Sequence, residues 1–265
     1  MKTLIKKFPN TTMFVLAIVL FAFTLIVSVI INEGIVKQYF PYIAPILLFV
    51  TTLFLYKRER KTLNSIGLNF SVRNLSFIPL GILIGAFAFF GARYLRALVV
   101  GETFELSMSI DYSTIFYAFY FILPQVATEE LLFRGYLFKK AIEVSNVVVA
   151  NVIFSIVFML IHVLDENVLS NVSMVIMLAI TIPVGHLLFA TALLKSKTLY
   201  FPIGLHLGNN WATRHLISSD SSGESIFFIA NLATFDSWPP FITMLILFNG
   251  FYLLVTLVIW KWSKF

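Results

Sequence analysis

Cysteine is absent from the 265 residues of this chain. The absence excludes disulfides, iron–sulfur clusters and metal sites that depend on thiolates. Charged residues are also scarce, at 12% of the chain, whereas a soluble domain carries about 25%. The sequence contains no internal repeat, glycine-rich phosphate loop or low-complexity tract, and no H-E-x-x-H helix of the zinc metalloprotease type. This composition is not that of a soluble domain.

Hydrophobic residues make up 59% of the chain. They gather in runs close to the length that crosses a bilayer as a helix, about 20 residues. The candidate spans, in chain order, are 13–31, 39–56, 77–97, 114–138, 147–163, 172–193, 199–217 and 241–260. These spans predict an all-α polytopic membrane protein with about eight transmembrane helices. Residues 1–265 are expected to form a single integral membrane domain.

Basic and acidic residues fall on alternate sides of the predicted spans. If the N-terminus lies inside, the inner segments hold Lys2, Lys6, Lys7, Lys57, Arg58, Arg60, Lys61, Arg73, Lys139, Lys140, Lys195, Lys197, Lys261 and Lys264. The outer segments hold Glu33, Glu102, Glu105, Asp111, Asp165, Glu166, Asp220, Glu224 and Asp236, with Lys37 as the one loop lysine. The positive-inside rule therefore predicts that both termini are cytoplasmic, in the plasma membrane. This topology accounts for the net charge of +6, so no nucleic-acid partner is expected.

Two adjacent glutamates and an arginine interrupt the fourth predicted span. Counted along the helix from Lys139, Glu129 and Glu130 lie about 14 Å inside the membrane. An ionised side chain at that depth costs about 3 kcal/mol or more. Glu130 and Arg134 are spaced i,i+4 with the acid first, which is the favourable order for a helical ion pair. Glu129 is left without a partner from its own turn, so it is the acid whose presence needs a functional reason.

Other polar side chains occur inside apolar spans. His162 follows Phe158 by four residues in the fifth span, and His206 precedes Asn210 by four in the seventh, on one helical face. A carboxylate, two imidazoles and an amide on three spans could activate water and stabilise an oxyanion. Each group taken alone is also typical of helix-to-helix hydrogen bonding. Their joint occurrence favours a functional site.

Several further polar residues are predicted to be structural. His186 follows Pro183, and the carbonyls freed by a proline kink are expected to satisfy its ring nitrogens. Arg93 and Arg96 are expected to extend outward from the third span toward water.

Three motifs in order resemble a known family. The patterns E-E-x-x-x-R (Glu129 to Arg134), F-x-x-x-H (Phe158 to His162) and H-x-x-x-N (His206 to Asn210) are similar to those of the CPBP intramembrane proteases. This family is also called Abi or type II CAAX prenyl endopeptidase and includes the Rce1-type enzymes. The motifs lie in a predicted catalytic core, residues 113–217. Residues 1–112 and 218–265 would be peripheral helices and loops.

The resemblance implies an eight-helix membrane protease whose site lies in the inner half of the membrane and opens toward the cytoplasm. It implies that Glu129 and His162 activate the attacking water and that His206 and Asn210 stabilise the oxyanion. Glu130, Arg134 and Phe158 would support the site. A metalloprotease scheme is also open, in which Glu129, His162 and His206 hold Zn²⁺ with one position left for water. The presence of Asn210 beside His206 favours the scheme without metal.

The predicted depths of these residues disagree. Counted from the inner ends of their spans, His206 lies at about 10 Å, Glu129 at about 14 Å and His162 at about 22 Å. Helix tilt, about 20° on average, absorbs part of this difference. One shared site requires the tertiary structure to remove the rest.

By resemblance, the substrate is a membrane-associated protein or peptide, such as a CAAX-type tail or a leader peptide. Association with a membrane regulatory protein is a further expectation. The alternative function is a non-proteolytic membrane scaffold or bacteriocin-immunity protein. A transporter is less favoured, because the sequence lacks an inverted repeat and paired broken helices.

Overall fold

The computed structural model describes residues 7–219, 221–233 and 237–262, and for residues 35 and 37 it describes the backbone alone. The topology prediction also uses charged residues outside this description, namely Lys2, Lys6, Asp220, Asp236, Lys264 and the side chain of Lys37.

The described residues fold into a helical bundle with one small sheet. The helices, in chain order, are α1 Pro9–Ile31, α2 Gly34–Tyr39, α3 Ile43–Arg58, α4 Val72–Leu75, α5 Phe77–Val100, α6 Tyr112–Phe133, α7 Tyr136–Val144, α8 Val147–Val163, α9 Glu166–Leu169, α10 Val172–Ser196, α11 Tyr200–Trp211 and α12 Trp238–Lys261. A 3₁₀ turn covers Leu63–Ile66, and a turn of π-helix, Ala212–Leu216, continues α11. The strands are β1 Phe104–Leu106, β2 Ile217–Ser218 and β3 Phe227–Ile229.

Within the described residues, four helical segments are long and apolar enough to cross a membrane. They are Pro9–Ile31, Val72–Val100, Val172–Ser196 and Trp238–Lys261. Helix α8 is apolar but shorter, at 17 residues. The predicted all-α polytopic membrane class is therefore confirmed, whereas the number of eight transmembrane helices stays a prediction.

The predicted span 114–138 is wrong as a single helix. Helix α6 ends at Phe133, and α7 begins at Tyr136 after a turn at Gly135. A Cβ atom at Gly135 would lie 2.2 Å from the carbonyl oxygen of Leu131, so the turn requires glycine. Depth counted from Lys139 along a continuous helix is therefore invalid, and Glu129 lies four residues from the end of α6.

Helices α5 and α11 approach each other closely through glycines. A Cβ atom at Gly85 would lie 2.0 Å from the carbonyl oxygen of Leu205, and one at Gly208 would lie 2.1 Å from that of Ile82. Small residues permit such backbone contact between membrane helices. The two helices run in the same direction, and the contact fixes His206 of α11 against α5.

The two ends of the bundle differ in chemistry. At one end, which we call the basic end, the connections 59–76, 134–146 and 197–199 carry seven of the 19 lysines and arginines. Three more, Lys57, Arg58 and Lys195, lie in the last turns of the adjoining helices. Lys140 is buried there and donates hydrogen bonds to Glu59 and Glu143. Burial alone would lower the pKa of Lys140, but these hydrogen bonds outweigh it and raise the pKa above its ordinary value. Lys140 is thus the buried member of an ion-pair network at the basic end.

The opposite end, which we call the sheet end, carries the three short strands in the order β1-β3-β2. Strand β1 pairs antiparallel with β3, with Phe104 opposite Ile229, and β2 pairs parallel with β3, with Ile217 opposite Phe227. No strand was expected from the sequence, because each is only two or three residues long and shows no alternating pattern.

Candidate active site

Glu130 and Arg134 form the predicted ion pair at the basic end of α6. Arg134 Nη1 lies 3.0 Å from Glu130 Oε1, and both side chains are completely buried. The guanidinium carbon of Arg134 lies 4.3 Å from the ring centre of Phe158 and 5.2 Å from that of Phe189. Aromatic faces stabilise a desolvated cation, so Phe158 supports the site through Arg134.

His206 lies between the two glutamates of α6. Its Nδ1 lies 2.8 Å from Glu130 Oε1, and its Nε2 lies 3.6 Å from Glu129 Oε2. The imidazole stacks on Phe189, with ring centres 4.7 Å apart. A hydrogen bond donated by Nδ1 to Glu130 fixes the ring orientation and leaves Nε2 facing Glu129. The same oxygen of Glu130, Oε1, therefore pairs with Arg134 and positions His206.

Glu129 makes a side-chain hydrogen bond within its own helix. Gln125, one turn earlier, donates a hydrogen bond from Nε2 to Glu129 Oε1 at 3.1 Å. Arg214 in turn donates to Gln125 Oε1 at 3.2 Å. The sequence analysis missed both residues, although the i,i+4 spacing of Gln125 and Glu129 could have indicated the first contact. These contacts orient the carboxylate and leave its Oε2 without a hydrogen bond to any residue that the structure describes.

His162 lies at the sheet end of α8. Its Nδ1 lies 2.8 Å from the carbonyl oxygen of Phe158, so Nδ1 donates and Nε2 can accept. The ring also packs edge-on against Phe158, with centres 4.7 Å apart. Among the described residues, His162 makes no hydrogen bond or ion pair with Glu129. The two residues line the same cavity but are not in direct contact.

Asn210 is held by its neighbour Asn209, which is held in turn by helix α12. Asn209 Nδ2 donates to Asn210 Oδ1 at 3.2 Å, and the hydroxyl of Tyr252 donates to Asn209 Oδ1. With its oxygen engaged, Asn210 presents its amide NH₂ group as the remaining donor. The sequence analysis missed Asn209 and Tyr252, because α12 lies outside the three motifs and its packing partner cannot be inferred from spacing.

A cavity of about 340 Å³ connects these groups. Glu129, His162, His206 and Asn210 all line it. Its other walls come from α5, α6, α8, α10, α11 and α12, through Phe89, Gln125, Phe158, Leu178, Thr181, Ile182, Gly185, Phe189, Asn209, Thr213, Arg214, Phe248 and Tyr252. The predicted residues therefore share one cavity. They need not lie at the same depth, because the cavity extends along the bundle.

The cavity extends toward the sheet end. Glu129 and His206 lie at its base, Glu129 four residues before the basic end of α6 and His206 in the middle of α11, and the buried Arg134 lies next to that base. The far walls include His162, one residue before the end of α8, together with the exposed Thr213 and Arg214. The opening toward the cytoplasm that the resemblance implies stays a prediction.

A family comparison identifies the part of the chain that builds this site. Residues 111–212 match the family model described as type II CAAX prenyl endopeptidase Rce1-like. This segment is similar to the Rce1-like family, and we refer to it as the Rce1-like domain. Searches of curated proteins and of solved structures gave no match. The Rce1-like match supports a CAAX-type membrane endopeptidase in general.

The Rce1-like domain contains all the predicted catalytic residues but not all the residues that hold them in place. The match begins at Asp111, the residue that caps α6, and ends just after α11. Tyr252 and Arg214 lie beyond it and contribute contacts to Asn209 and Gln125. The site thus depends on helix α12 as well as on the matched segment.

The Rce1-like domain does not assemble the zinc ligand set considered from the sequence. Among the described residues, no group of three His, Asp or Glu side chains is placed to hold a metal ion. Glu129 and His206 are close, but His162 is engaged with Phe158. The residues as arranged do not fit a three-ligand zinc site, and we derive no step through a metal.

His186 is buried as predicted, but the expected hydrogen bonds to freed carbonyls are absent. Neither ring nitrogen has a hydrogen-bond partner in the described part of the chain. The ring packs edge-on against Phe138, with centres 5.9 Å apart. Its neighbour Gly185, rather than His186, lines the cavity.

Tyr252 provides a test of how Asn210 is oriented. Tyr252→Phe removes the hydroxyl bonded to Asn209 but keeps the ring. We expect kcat to fall roughly 3- to 10-fold, which corresponds to the loss of one hydrogen bond, and KM to stay nearly unchanged. Steady-state peptidase kinetics in detergent would measure this. Tyr200→Phe is the matched control, because the Tyr200 hydroxyl makes no hydrogen bond to a described residue. Equal kinetics of the Tyr252→Phe variant and the wild type would contradict the positioning role.

Proposed function

We propose that this protein is an intramembrane endopeptidase that hydrolyses a peptide bond in a membrane-anchored protein or peptide. The observation that carries the proposal is the imidazole of His206 lying between Glu129 and Glu130 at the base of a cavity. His162 and Asn210 line the same cavity. A base, donors for an oxyanion and space for a peptide thus occur together, as hydrolysis requires.

Glu129 is the proposed general base. Its Oε2, which has no hydrogen bond within the described part of the chain, takes a proton from water while the water oxygen attacks the scissile carbonyl carbon. The carbonyl electron pair moves onto oxygen and forms a tetrahedral oxyanion. When the carbon–nitrogen bond breaks, the protonated Glu129 returns the proton to the leaving nitrogen. The Nε2 atom of His162 can accept a hydrogen bond from the same water and orient it.

The oxyanion is stabilised by Asn210 and His206. The amide NH₂ of Asn210 is a neutral donor whose orientation is fixed through Asn209 and Tyr252. His206 can donate from Nε2 as well as Nδ1 only in its doubly protonated form. Glu130 accepts the hydrogen bond from Nδ1 and so holds the ring in place. Glu130 is therefore a positioning residue for His206 and not a second base.

The cavity and the charge pattern together predict the side from which substrate arrives. The cavity extends to the sheet end, whereas the lysines and arginines gather at the basic end. If the basic end is cytoplasmic, as the positive-inside rule requires, the site receives its substrate from the extracytoplasmic side. A peptide exposed on that face would then fit better than a tail displayed in the cytoplasm.

The absence of cysteine makes this orientation directly testable. Single variants Ser219→Cys at the sheet end, Leu178→Cys in the cavity wall and Arg58→Cys at the basic end can be expressed in cells. We expect a membrane-impermeant maleimide to label Ser219→Cys and Leu178→Cys in intact cells, and Arg58→Cys only after the membrane is opened. The reverse pattern would contradict the proposed orientation. Labelling of Ser219→Cys without Leu178→Cys would contradict access of water to the cavity.

Peptidase activity itself is tested with purified protein in liposomes. Membrane-anchored peptides would be supplied on either face, with products identified by mass spectrometry, and each assay run with and without a chelator. We expect cleavage that survives the chelator. Cleavage abolished by the chelator and restored by zinc would overturn the scheme without metal. Solute or ion flux without any cleavage would favour a carrier, and neither activity would favour a non-proteolytic scaffold.

A further inference from the structure

His186 is a buried polar side chain that the proposed hydrolysis does not use. It lies on α10, three residues after Pro183, and is 1% exposed. A neutral imidazole has one donor and one acceptor nitrogen, and neither has a hydrogen-bond partner among the residues that the structure describes. Burial of unpaired polar atoms is unfavourable. An apolar side chain of similar size would avoid this cost, so the imidazole needs a partner.

The neighbouring ion pair also has unpaired atoms. Arg134 contacts Glu130 Oε1 through Nη1, and both side chains are completely buried. Within the described ranges, Arg134 Nε, Arg134 Nη2 and Glu130 Oε2 have no hydrogen-bond partner. Buried polar groups in folded proteins are nearly always paired with protein or with ordered water. Three buried side chains, those of Glu130, Arg134 and His186, thus share a need for further hydrogen bonds.

Aromatic rings bring these three side chains to one place. The ring centre of Phe158 lies 6.4 Å from that of His186 and 4.3 Å from the guanidinium carbon of Arg134. Arg134 is also near enough for its charge to act on the imidazole. Phe189, three residues after His186 on α10, lies 5.2 Å from the Arg134 guanidinium carbon and stacks on His206. His186 therefore borders the ion pair that positions His206.

The charges of this cluster favour a neutral ligand. Glu130 balances the charge of Arg134, and the imidazole of His186 can remain uncharged, so neither an anion nor a cation is required. The ligand must accept from a guanidinium and donate to a carboxylate and an imidazole nitrogen. A buried water makes about three hydrogen bonds of this kind. One water would satisfy Arg134 Nη2, Glu130 Oε2 and the acceptor nitrogen of His186.

We propose that a bound water joins His186 to the Arg134–Glu130 pair, and that His186 is a positioning residue of the site. The water accepts a hydrogen bond from Arg134 Nη2 and donates one to His186 and one to Glu130 Oε2. With Oε2 held in this way, the carboxylate cannot rotate and Oε1 stays on His206 Nδ1. His186 thereby fixes an oxyanion donor without touching the substrate. The positioning role rests on the proposed function, whereas the water site does not.

The water site is tested in the absence of substrate by NMR of protein labelled with ¹⁵N-histidine. The His186 signals are assigned by their loss in His186→Gln. We expect one ring nitrogen of His186 to have the chemical shift of an acceptor that receives a hydrogen bond, and to show magnetisation transfer from water. The shift of an unbonded acceptor, or the shifts of a doubly protonated ring, would overturn the water site.

The positioning role is tested by replacing His186 with and without an acceptor. His186→Phe and His186→Met keep an apolar side chain of similar size but cannot receive the hydrogen bond, whereas His186→Gln can. We expect both apolar variants to lower kcat roughly 3- to 10-fold, as for one lost hydrogen bond, with KM nearly unchanged. His186→Gln should recover a large part of this loss. His215→Phe makes the same exchange outside the cavity lining and should behave as wild type.

Two kinetic outcomes would overturn the positioning role. Wild-type kcat in a folded apolar variant would show that the imidazole acts only through packing. An equal fall of kcat in the Phe, Met and Gln variants would show the same, because the acceptor would then make no difference. Two apolar variants are used so that the misfolding of one leaves the comparison with His186→Gln intact, and thermal unfolding identifies the folded ones.

The two measurements separate this inference from the proposed function. If wild type cleaves no peptide but the His186 nitrogen receives a hydrogen bond from water, the peptidase proposal fails and the water site stands. If wild type cleaves peptides but the nitrogen is unbonded, the peptidase proposal stands and the water site fails.

Discussion

Glu129→Gln is expected to lower kcat/KM by about 10²- to 10⁴-fold, the usual contribution of a general base. Glutamine keeps the size of the side chain and can still bond to Gln125, but its amide cannot take a proton from water. The loss should fall mainly on kcat, since the cavity wall is unchanged. Peptidase assays on proteoliposomes, with thermal unfolding measured in parallel, would separate lost chemistry from lost folding.

Glu166→Gln provides the control for this prediction. Glu166 is exposed in the short helix α9 at the sheet end and lies outside the cavity lining. Its replacement removes one carboxylate without touching the site, so activity should remain at the wild-type level. Substantial peptidase activity in a folded Glu129→Gln protein would refute the assignment of Glu129 and would require another base in the cavity.

Glu130→Ala is expected to produce the largest loss of stability. Arg134 and Glu130 are both fully buried, and Glu130 also faces His206 Nδ1. Removal of the acid leaves the guanidinium without its counter-charge among Phe133, Phe158 and Phe189. Breaking a buried ion pair from one side costs about 3–5 kcal/mol. Thermal or denaturant unfolding in detergent would measure this loss.

The double variant Glu130→Ala/Arg134→Met tests whether the cost comes from the unpaired charge. If it does, the second substitution should recover a large part of the stability, because no buried cation remains. Additive losses in the double variant would show that both side chains act mainly through packing. Activity should stay low in both variants, because His206 loses the acceptor that orients it.

The comparison between sequence and structure is most informative at α6. The spacing of Glu130 and Arg134 correctly predicts their ion pair, because i,i+4 geometry is local. The same span also predicts a continuous helix to residue 138, which is wrong. Hydrophobicity persists past Phe133, and the close contact of Gly135 with the Leu131 carbonyl is not visible in composition. Boundaries depend on such details, whereas the existence of an apolar helix does not.

Residues that support the site from other helices were beyond sequence reasoning. Tyr252 lies more than forty residues from Asn209 in the chain, and Arg214 lies far from Gln125, yet both pairs are in contact. In neither pair does the spacing along the chain place the two residues as neighbours on one helix. The same holds for Arg93 and Arg96, because an arginine near a helix end either extends to water or turns inward according to whether a carboxylate such as Glu102 is near.

The sequence by itself determined the membrane class, the helical fold and the identity of the groups that could carry hydrolysis. These follow from composition, from hydrophobic periodicity and from three short local motifs, all of which are properties of neighbouring residues. The tertiary structure decided that His206 lies between the two glutamates, that the described residues form no three-ligand metal set and that the cavity extends to the sheet end. Those outcomes depend on how separate helices pack. Close glycine contacts and buried charges determine that packing, and they join residues that are far apart in the sequence.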